Sequence, residues 1–334
     1  MNAAGRRARI LVGLLLSLCA ASAVALERQR EDVRRFIDLM QQRHGFERAW
    51  LDEVIGAAAS QPRIIELISR PAERVMTWPE YRSHFITAER IAAGLEFWTA
   101  HQERLAEVEQ RTGVDAAVVV GIIGVETFFG RITGRYRVLD ALATLAFDYP
   151  PRSGYFRDEL EQFLLLAREE RVDVRTALGS YAGAMGAPQF MPRSYRAYAV
   201  DGDGDGRRDL WSNWDDVIAS VANYLARHGW RAGQPVSVPA APWFPQLAGL
   251  KAGSLTPNET VKSLRDKGLG FTTGQDPAAP ALFIDVDGDA GREYRAGFHN
   301  FGVITRYNRS VLYALVVQQL GERVAASRPP AAGT

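Results

Sequence analysis

Asp115-Ala116-Ala117-Val118-Val119-Val120-Gly121-Ile122-Ile123-Gly124-Val125-Glu126-Thr127-Phe128-Phe129-Gly130 is the stretch on which the fold turns. From Asp115 to about Val125 it is nearly all apolar, which predicts a helix buried inside the protein rather than one lying on its surface. The segments on either side read as amphipathic helices that could surround it. Leu26 to Gln42 carries Val33, Phe36, Ile37 and Met40 at three- and four-residue spacing. Glu47 to Ala59 has the same pattern, and Pro62 breaks it. Thr87 to Gln110 reads as one long helix opened by a threonine cap, with Ile91, Leu95, Phe97, Trp98, Leu105 and Val108 turned inward. Helices also fit 138–147, 155–170, 214–228 and 311–323, whereas 235–245 and 279–293 look extended and rich in turns. The expected class is mainly α (α+β), a helical body with a small β-containing insertion late in the chain.

The chain has 334 residues, 47% hydrophobic and 24% charged, a globular composition that excludes disorder over most of its length. Lys plus Arg number 40 against 39 Asp plus Glu, so no global field draws it to nucleic acid or an anionic surface. The N-terminus has the layout of an export signal: Arg6, Arg7 and Arg9 precede an apolar run from Ile10 to Ala25 that ends in small residues. That run is shorter than the ~20 residues of a membrane span. Cleavage after Ala23 or Ala25 removes the three arginines and the single cysteine, Cys19, leaving 37 basic against 39 acidic residues. A thiol nucleophile, a cysteine-ligated zinc and an internal disulfide leave with it. Lipid attachment at Cys19 is the competing reading and the one route to a membrane, but Leu18 stands where a lipoprotein site wants a small residue. Soluble export to the periplasm is therefore the expectation.

Glu126 is a lone carboxylate at the end of an apolar helix, followed by two aromatics. Lost hydration disfavours the ionised form, so such a group can hold a proton near neutrality and deliver it as the general acid of glycosidic cleavage. The alternative is a structural ion pair with Arg131 or Arg135. No second carboxylate shares an equally apolar setting, so the paired-carboxylate scheme of most glycosidases gains no support. Gly179 to Pro192 is dense in small residues, then in amide, aromatic and thioether groups, which suits either a sugar cleft or a tight helix crossing.

Asp201-Gly202-Asp203-Gly204-Asp205-Gly206-Arg207 fits the opening of a calcium loop, with carboxylates at positions one, three and five, a turning glycine at six and the Arg207 carbonyl at seven. Position twelve is Ser212, so a late ligand must come from Asp215 or Asp216; a metal-free acidic turn is the other reading. A second acidic stretch, Asp285 to Ala290, lacks glycine at position six and reads as a hairpin turn. The five histidines are scattered without an HExxH, and there is no G-x-S-x-G, P-loop or dinucleotide fingerprint.

Five ordered segments then converge: Gly124 to Gly130; Ser180 to Gly186 running on to Gln189-Phe190-Met191-Pro192-Arg193-Ser194-Tyr195; the acidic loop before Leu210-Trp211; Ser220 to Tyr224; and Asn300-Phe301 through Ile304 to Asn308. Together, over roughly residues 30 to 322, they resemble the lytic murein transglycosylase B family. The resemblance implies a goose-lysozyme-like helical core with an α domain, a small β domain and a calcium loop. Its expected divisions are a signal peptide at 1–25, part of the α domain at 26–112, the catalytic core at 113–232 with its loop at 201–216, a β-containing domain at 233–298, a helical return at 299–325 and a tail at 326–334.

The resemblance also implies an enzyme that cuts the bond between N-acetylmuramic acid and N-acetylglucosamine in peptidoglycan and leaves 1,6-anhydromuramoyl ends. Glu126 acts as acid and then base, with the acetamido group in place of a protein nucleophile. By motif position, Ser180 and Gln189 hold substrate, Met185, Phe190 and Tyr224 line the cleft, Tyr81 and Tyr307 close over it, and Arg152 meets a peptide or lactyl carboxylate. Pro151 stands where the family has a second basic residue, and Gly302 where an aromatic is frequent. Structural Ca2+ would be held by Asp201, Asp203, Asp205, the Arg207 carbonyl and Asp216. The implied partners are peptidoglycan glycan strands and cell-wall synthesis proteins, with the chain acting as a monomer. A hydrolytic muramidase and a non-catalytic wall-binding scaffold are the alternatives.

Overall fold

Ala116–Thr127 forms the expected buried helix, with every residue from Val118 to Val125 out of solvent. The computed structural model describes residues 24–27, 29–70, 76–243, 247 and 249–329. The expected export signal up to Ala23, Cys19 included, lies outside the described residues.

A second buried helix, Val311–Ala326, crosses the first at backbone contact distance. Glycine permits the approach. A Cβ on Gly121 would stand 2.3 Å from the carbonyl oxygen of Val317, and one on Gly321 would stand 2.0 Å from that of Ala117. Gly94, on the helix Ala88–Ala100, lies equally close to Val324, where a Cβ would approach to 2.5 Å. Around this centre pack Val138–Phe147, buried along its whole length, Ser153–Glu170 and Trp214–Arg227.

The stripe Val33, Phe36, Ile37 and Met40 is buried on the helix Glu31–His44, and the second amphipathic segment folds as Arg48–Gly56. The long helix expected over Thr87–Gln110 breaks at His101, giving Ala88–Ala100 and Gln102–Thr112. There the His101 ring lies against Phe97 and Trp214. Thr87 caps the first half, its hydroxyl accepting the Arg90 N–H at 3.1 Å. Pro62, expected to end a helix, instead opens one at Pro62–Ile68, and proline also begins Pro192–Tyr198 and follows the first residue of Trp78–Phe85. The missing N–H costs nothing in a helix's first turn, where no partner exists for it.

The late insertion is a five-stranded antiparallel sheet in the order Glu259–Thr260, Pro280–Gly288, Gly291–Gly297, Ser237–Pro242, Leu269–Gly270. It carries a small apolar cluster of its own around Val261, Leu264, Phe283 and Phe298. The acidic stretch Asp285–Ala290 is the expected hairpin, with Gly288 facing Gly291 across the turn. A buried polar chain ties sheet to body: Arg295 donates to the Ser237 hydroxyl at 2.9 Å, and that hydroxyl donates to Gln318 of the long buried helix at 2.5 Å. Among the described residues no helix is long and apolar enough to cross a membrane.

Candidate active site

Glu126 stands in the last turn of its helix, half-buried, at the mouth of an open cleft of about 600 Å³. The helix stops because Phe128 and Phe129 turn left-handed at φ 51° and 56°. Bulky residues rarely adopt that conformation, and where they do the surroundings hold it against a cost of about 1–3 kcal/mol each. Thr127 provides one restraint: its hydroxyl donates to the Ala187 carbonyl at 2.8 Å and accepts the Gly130 N–H at 3.1 Å. The end of the acid helix is thereby pinned to the opposite wall.

That wall is the small-residue segment. Gly179 bridges to Met185 and Met185 to Phe190, folding the chain into a tight stack. A Cβ on Gly134 would stand 2.1 Å from the Gly179 carbonyl oxygen, so glycine is required where the two walls of the cleft touch. The Ser180 hydroxyl oxygen accepts the N–H groups of Ala182 and Ala184 at 3.2 and 3.0 Å. Both lone pairs are then engaged, and its proton is left to donate. Gln189, also left-handed at φ 52°, gives its amide nitrogen to the carbonyls of Thr133 and Gly186, at 3.0 and 2.9 Å. These two bonds fix the amide's orientation at the cleft. Glu126, Ser180 and Gln189 share one cleft, and Glu126 is the only carboxylate among its described lining residues.

Three of the aromatic residues expected at the cleft pack on one another in a row. Tyr224 and Phe190 lie 5.5 Å apart, Phe190 and Tyr307 5.7 Å, Tyr224 and Tyr307 4.8 Å, and Tyr307 stacks towards Tyr313 at 6.4 Å. Tyr224 donates to the Arg306 carbonyl at 2.7 Å and Tyr307 to the Pro188 carbonyl at 2.6 Å. Met185, Phe190, Tyr81 and Tyr224 are buried and are not among the described residues that line this cleft. The row ends on a residue that the sequence did not single out: the Tyr313 hydroxyl donates to Glu126 Oε1 at 2.6 Å. Burial, reinforced by the Glu126 charge, pushes the Tyr313 hydroxyl well above its ordinary value and does the same for Tyr307. Burial also pushes Tyr224 up to about 12. The shift in all three favours the neutral, hydrogen-bond-donating hydroxyl.

Arg131 pairs with Glu89 and Glu96, at 3.7 and 3.6 Å. Arg152 is not brought into this cleft; it sits on the turn Pro150–Arg152 with its guanidinium 4.5 Å over Tyr155 and 5.1 Å over Phe156. A Cβ on Gly302 would meet the Leu255 carbonyl oxygen and Pro257 at 3.4 and 3.6 Å.

The acidic loop assembles in part as expected. Carboxylate oxygens of Asp201, Asp203 and Asp205 lie within 4.8 Å of one another, a hard oxygen set of the kind calcium takes. Gly204 and Gly206, both at positive φ, make the bends that turn them inward. Asp216 is fully buried beneath the loop, with its two oxygens accepting the N–H groups of Gly202 and Asp209, each at 2.6 Å. Asp215 points elsewhere, to Arg104 at 2.9 Å. The two candidates for a late ligand thus clamp the loop and fasten it to the helix Gln102–Thr112.

Comparison with known proteins places this geometry. Residues 28–322 match the family model described as "Transglycosylase SLT domain". The chain is 41% identical over 316 residues to membrane-bound lytic murein transglycosylase B of Escherichia coli (strain K12), covering 89% of this chain and 83% of that protein. Among solved structures it is similar to the catenated lytic transglycosylase SltB1 from Pseudomonas aeruginosa, with TM-score 0.86 and 47% identity over 90% of this chain and 99% of that one. It is also similar to E. coli lytic transglycosylase Slt35 in complex with calcium, with TM-score 0.83 and 41% identity over 92% and 96%. SltB3 from P. aeruginosa, solved with NAG-NAM-pentapeptide, matches with TM-score 0.74 and 30% identity over 88% and 80%. With one carboxylate among the described residues of a cleft on a helical body, and with similarity running nearly end to end, this chain belongs to the SLT transglycosylase family, the family of the lytic murein transglycosylases.

Proposed function

We propose that this cleft cleaves peptidoglycan between N-acetylmuramic acid and N-acetylglucosamine by intramolecular transfer, not hydrolysis. The observation that carries the reading is the single carboxylate of the described lining, held by a neutral tyrosine donor. Most glycosidases that use a protein nucleophile or a base-activated water place a second carboxylate across the bond, whereas assistance by the substrate's own acetamido group needs only the one acid, with the muramoyl C6 hydroxyl taking the place of water. Glu126, at the carbonyl end of its helix where a negative charge is disfavoured, gives its proton to the bridging oxygen as the C1–O bond breaks. The acetamido carbonyl oxygen shares the positive charge left on C1, and the Ser180 hydroxyl and Gln189 orient that group. The Glu126 carboxylate then takes the proton of the muramoyl C6 hydroxyl, whose oxygen bonds to C1. No water is consumed, and the acid is regenerated. Mass spectrometry of digested sacculi tests this: anhydromuramoyl ends are expected, whereas reducing muramic ends make the enzyme a hydrolytic muramidase.

Tyr313→Phe should lower kcat by about tenfold or more with secondary structure unchanged, because a hydrogen bond to a charged group is worth about 1.5–3 kcal/mol. Turbidity clearance of sacculi, read beside circular dichroism, checks it.

The reading extends to calcium, held by Asp201, Asp203, Asp205 and the Arg207 carbonyl, with Asp216 fixing the loop ends. Asp201, Asp203 and Asp205 bring three like charges close together, and a calcium ion held by them would offset their repulsion and so add stability. Thermal unfolding should shift down by several degrees on chelation, consistent with about 1–3 kcal/mol of linked binding, and Asp203→Asn should erase the difference. An identical midpoint with and without chelator leaves the loop a plain turn. Export by residues 1–25, the domain divisions expected from the sequence and action as a monomer belong to the same reading.

A further inference from the structure

We propose that Arg131 and Arg135 form a carboxylate-reading edge of the Glu126 cleft, which takes an acidic group of the peptide carried by the substrate's muramoyl residue; this rests on the reading of the cleft as a peptidoglycan site. Both arginines are exposed and line the same cleft as Glu126. In a peptide-bearing strand the lactyl carboxyl of each muramoyl residue is locked in an amide, so the carboxylates that such a pair of charges could read are those of the peptide itself.

Arg131 is built into place. Its guanidinium lies 4.9 Å over the ring of Phe128, the left-handed residue that ends the acid helix. The same ring is held by Arg90 at 4.6 Å, itself buried and donating to the carbonyls of His84 and Phe85. The contacts of Arg131 with Glu89 and Glu96, at 3.7 and 3.6 Å, exceed hydrogen-bond length, and both acids are mostly exposed. Such pairs are weak, so the planar fork stays open to a bidentate carboxylate. Arg135 lies 6.0 Å from the Tyr136 ring and has no ion-pair partner among the described residues. The position expected to read the peptide, Arg152, has Pro151 for a neighbour and is stacked on Tyr155 and Phe156 outside this lining.

The test is calorimetry on Glu126→Gln protein with a disaccharide-pentapeptide and the same compound with its peptide carboxylates amidated. The acidic ligand should bind about tenfold more tightly than the amidated one, the value of one charged hydrogen bond. Arg131→Ala and Arg135→Ala should each reduce that ratio, and the double variant should bring it to one. In the parent enzyme, the same substitutions should cut the kcat/KM preference for strands with free over amidated peptide carboxylates, mainly through KM. A preference that survives intact in the double variant, or is absent with both arginines present, overturns the proposal. Continued cleavage by Glu126→Gln sinks the catalytic reading instead, and is scored separately from the calorimetric ratio.

Discussion

Glu126→Gln should slow the release of anhydromuramoyl ends from purified sacculi by at least about 10³-fold, while sacculus binding in a pull-down is retained. General acid and base assistance is each worth about 10²–10⁴ in rate, and here one carboxylate does both jobs in sequence. The glutamine keeps the shape and still accepts the Tyr313 hydrogen bond, so the variant removes the proton and little else. The cleft offers no replacement acid among its described lining residues. Tyr313, the nearest donor, is held neutral by burial and is a poor proton source. Normal cleavage by Glu126→Gln would overturn the assignment. Binding without cleavage is the expected pair of results, and it also disposes of the scaffold alternative, since a scaffold has no cleavage to lose.

The second large effect is on the fold. Gly321→Ala adds one methyl where the Ala117 carbonyl oxygen lies 2.0 Å from the new atom, and Gly121→Ala does the same against Val317 at 2.3 Å. Alanine is the better helix former by about 1 kcal/mol. The contact is with backbone on both sides, so no rotamer relieves it, and the two helices must move apart. Overpacking of this kind costs about 1–3 kcal/mol and sometimes more, and it outweighs the propensity gain. Each variant should therefore lose a few degrees of melting temperature, at about 1.5 °C for each kcal/mol in a chain of this length. Activity should fall beyond what stability explains, because Tyr313 and Glu126 ride on the two helices being separated. Gly154→Ala is the control: it too is helical, but nothing lies within 4 Å of its Cβ position, so it should be neutral or slightly stabilising. Equal melting temperatures for Gly154→Ala and Gly321→Ala would mean that the crossing is not the constraint described here.

The helical body is legible in the chain because burial leaves a local period. The apolar run after Asp115 and the stripe Val33, Phe36, Ile37, Met40 are enough to announce a helix enclosed by others, and both are buried. Proline misleads, since Pro62 and Pro192 break a helix in its interior but open one at its first turn, and composition does not say which turn is meant. The break at His101 is equally invisible, because apolar spacing continues on both sides of a single non-helical residue.

At the site, Glu126 is conspicuous as a charge in the wrong company, and Ser180 and Gln189 come with the motifs that carry the family likeness. Tyr313 has no such mark. In Val311-Leu312-Tyr313-Ala314-Leu315 it is one more apolar position, 187 residues from the acid it serves. Spacing likewise cannot separate Asp215 from Asp216, since the choice is made by Arg104 on another helix and by two backbone N–H groups of the loop. Residue order alone is enough to say that a buried helix ends in a solitary acid and that three aspartates share a turn, because hydropathy and turn chemistry act between near neighbours. What touches that acid, which carboxylates converge and which arginines face the cleft are settled by packing in three dimensions. Those outcomes depend on how far distant backbones approach, and here that distance is set by the absence of a single carbon at Gly121, Gly134 and Gly321.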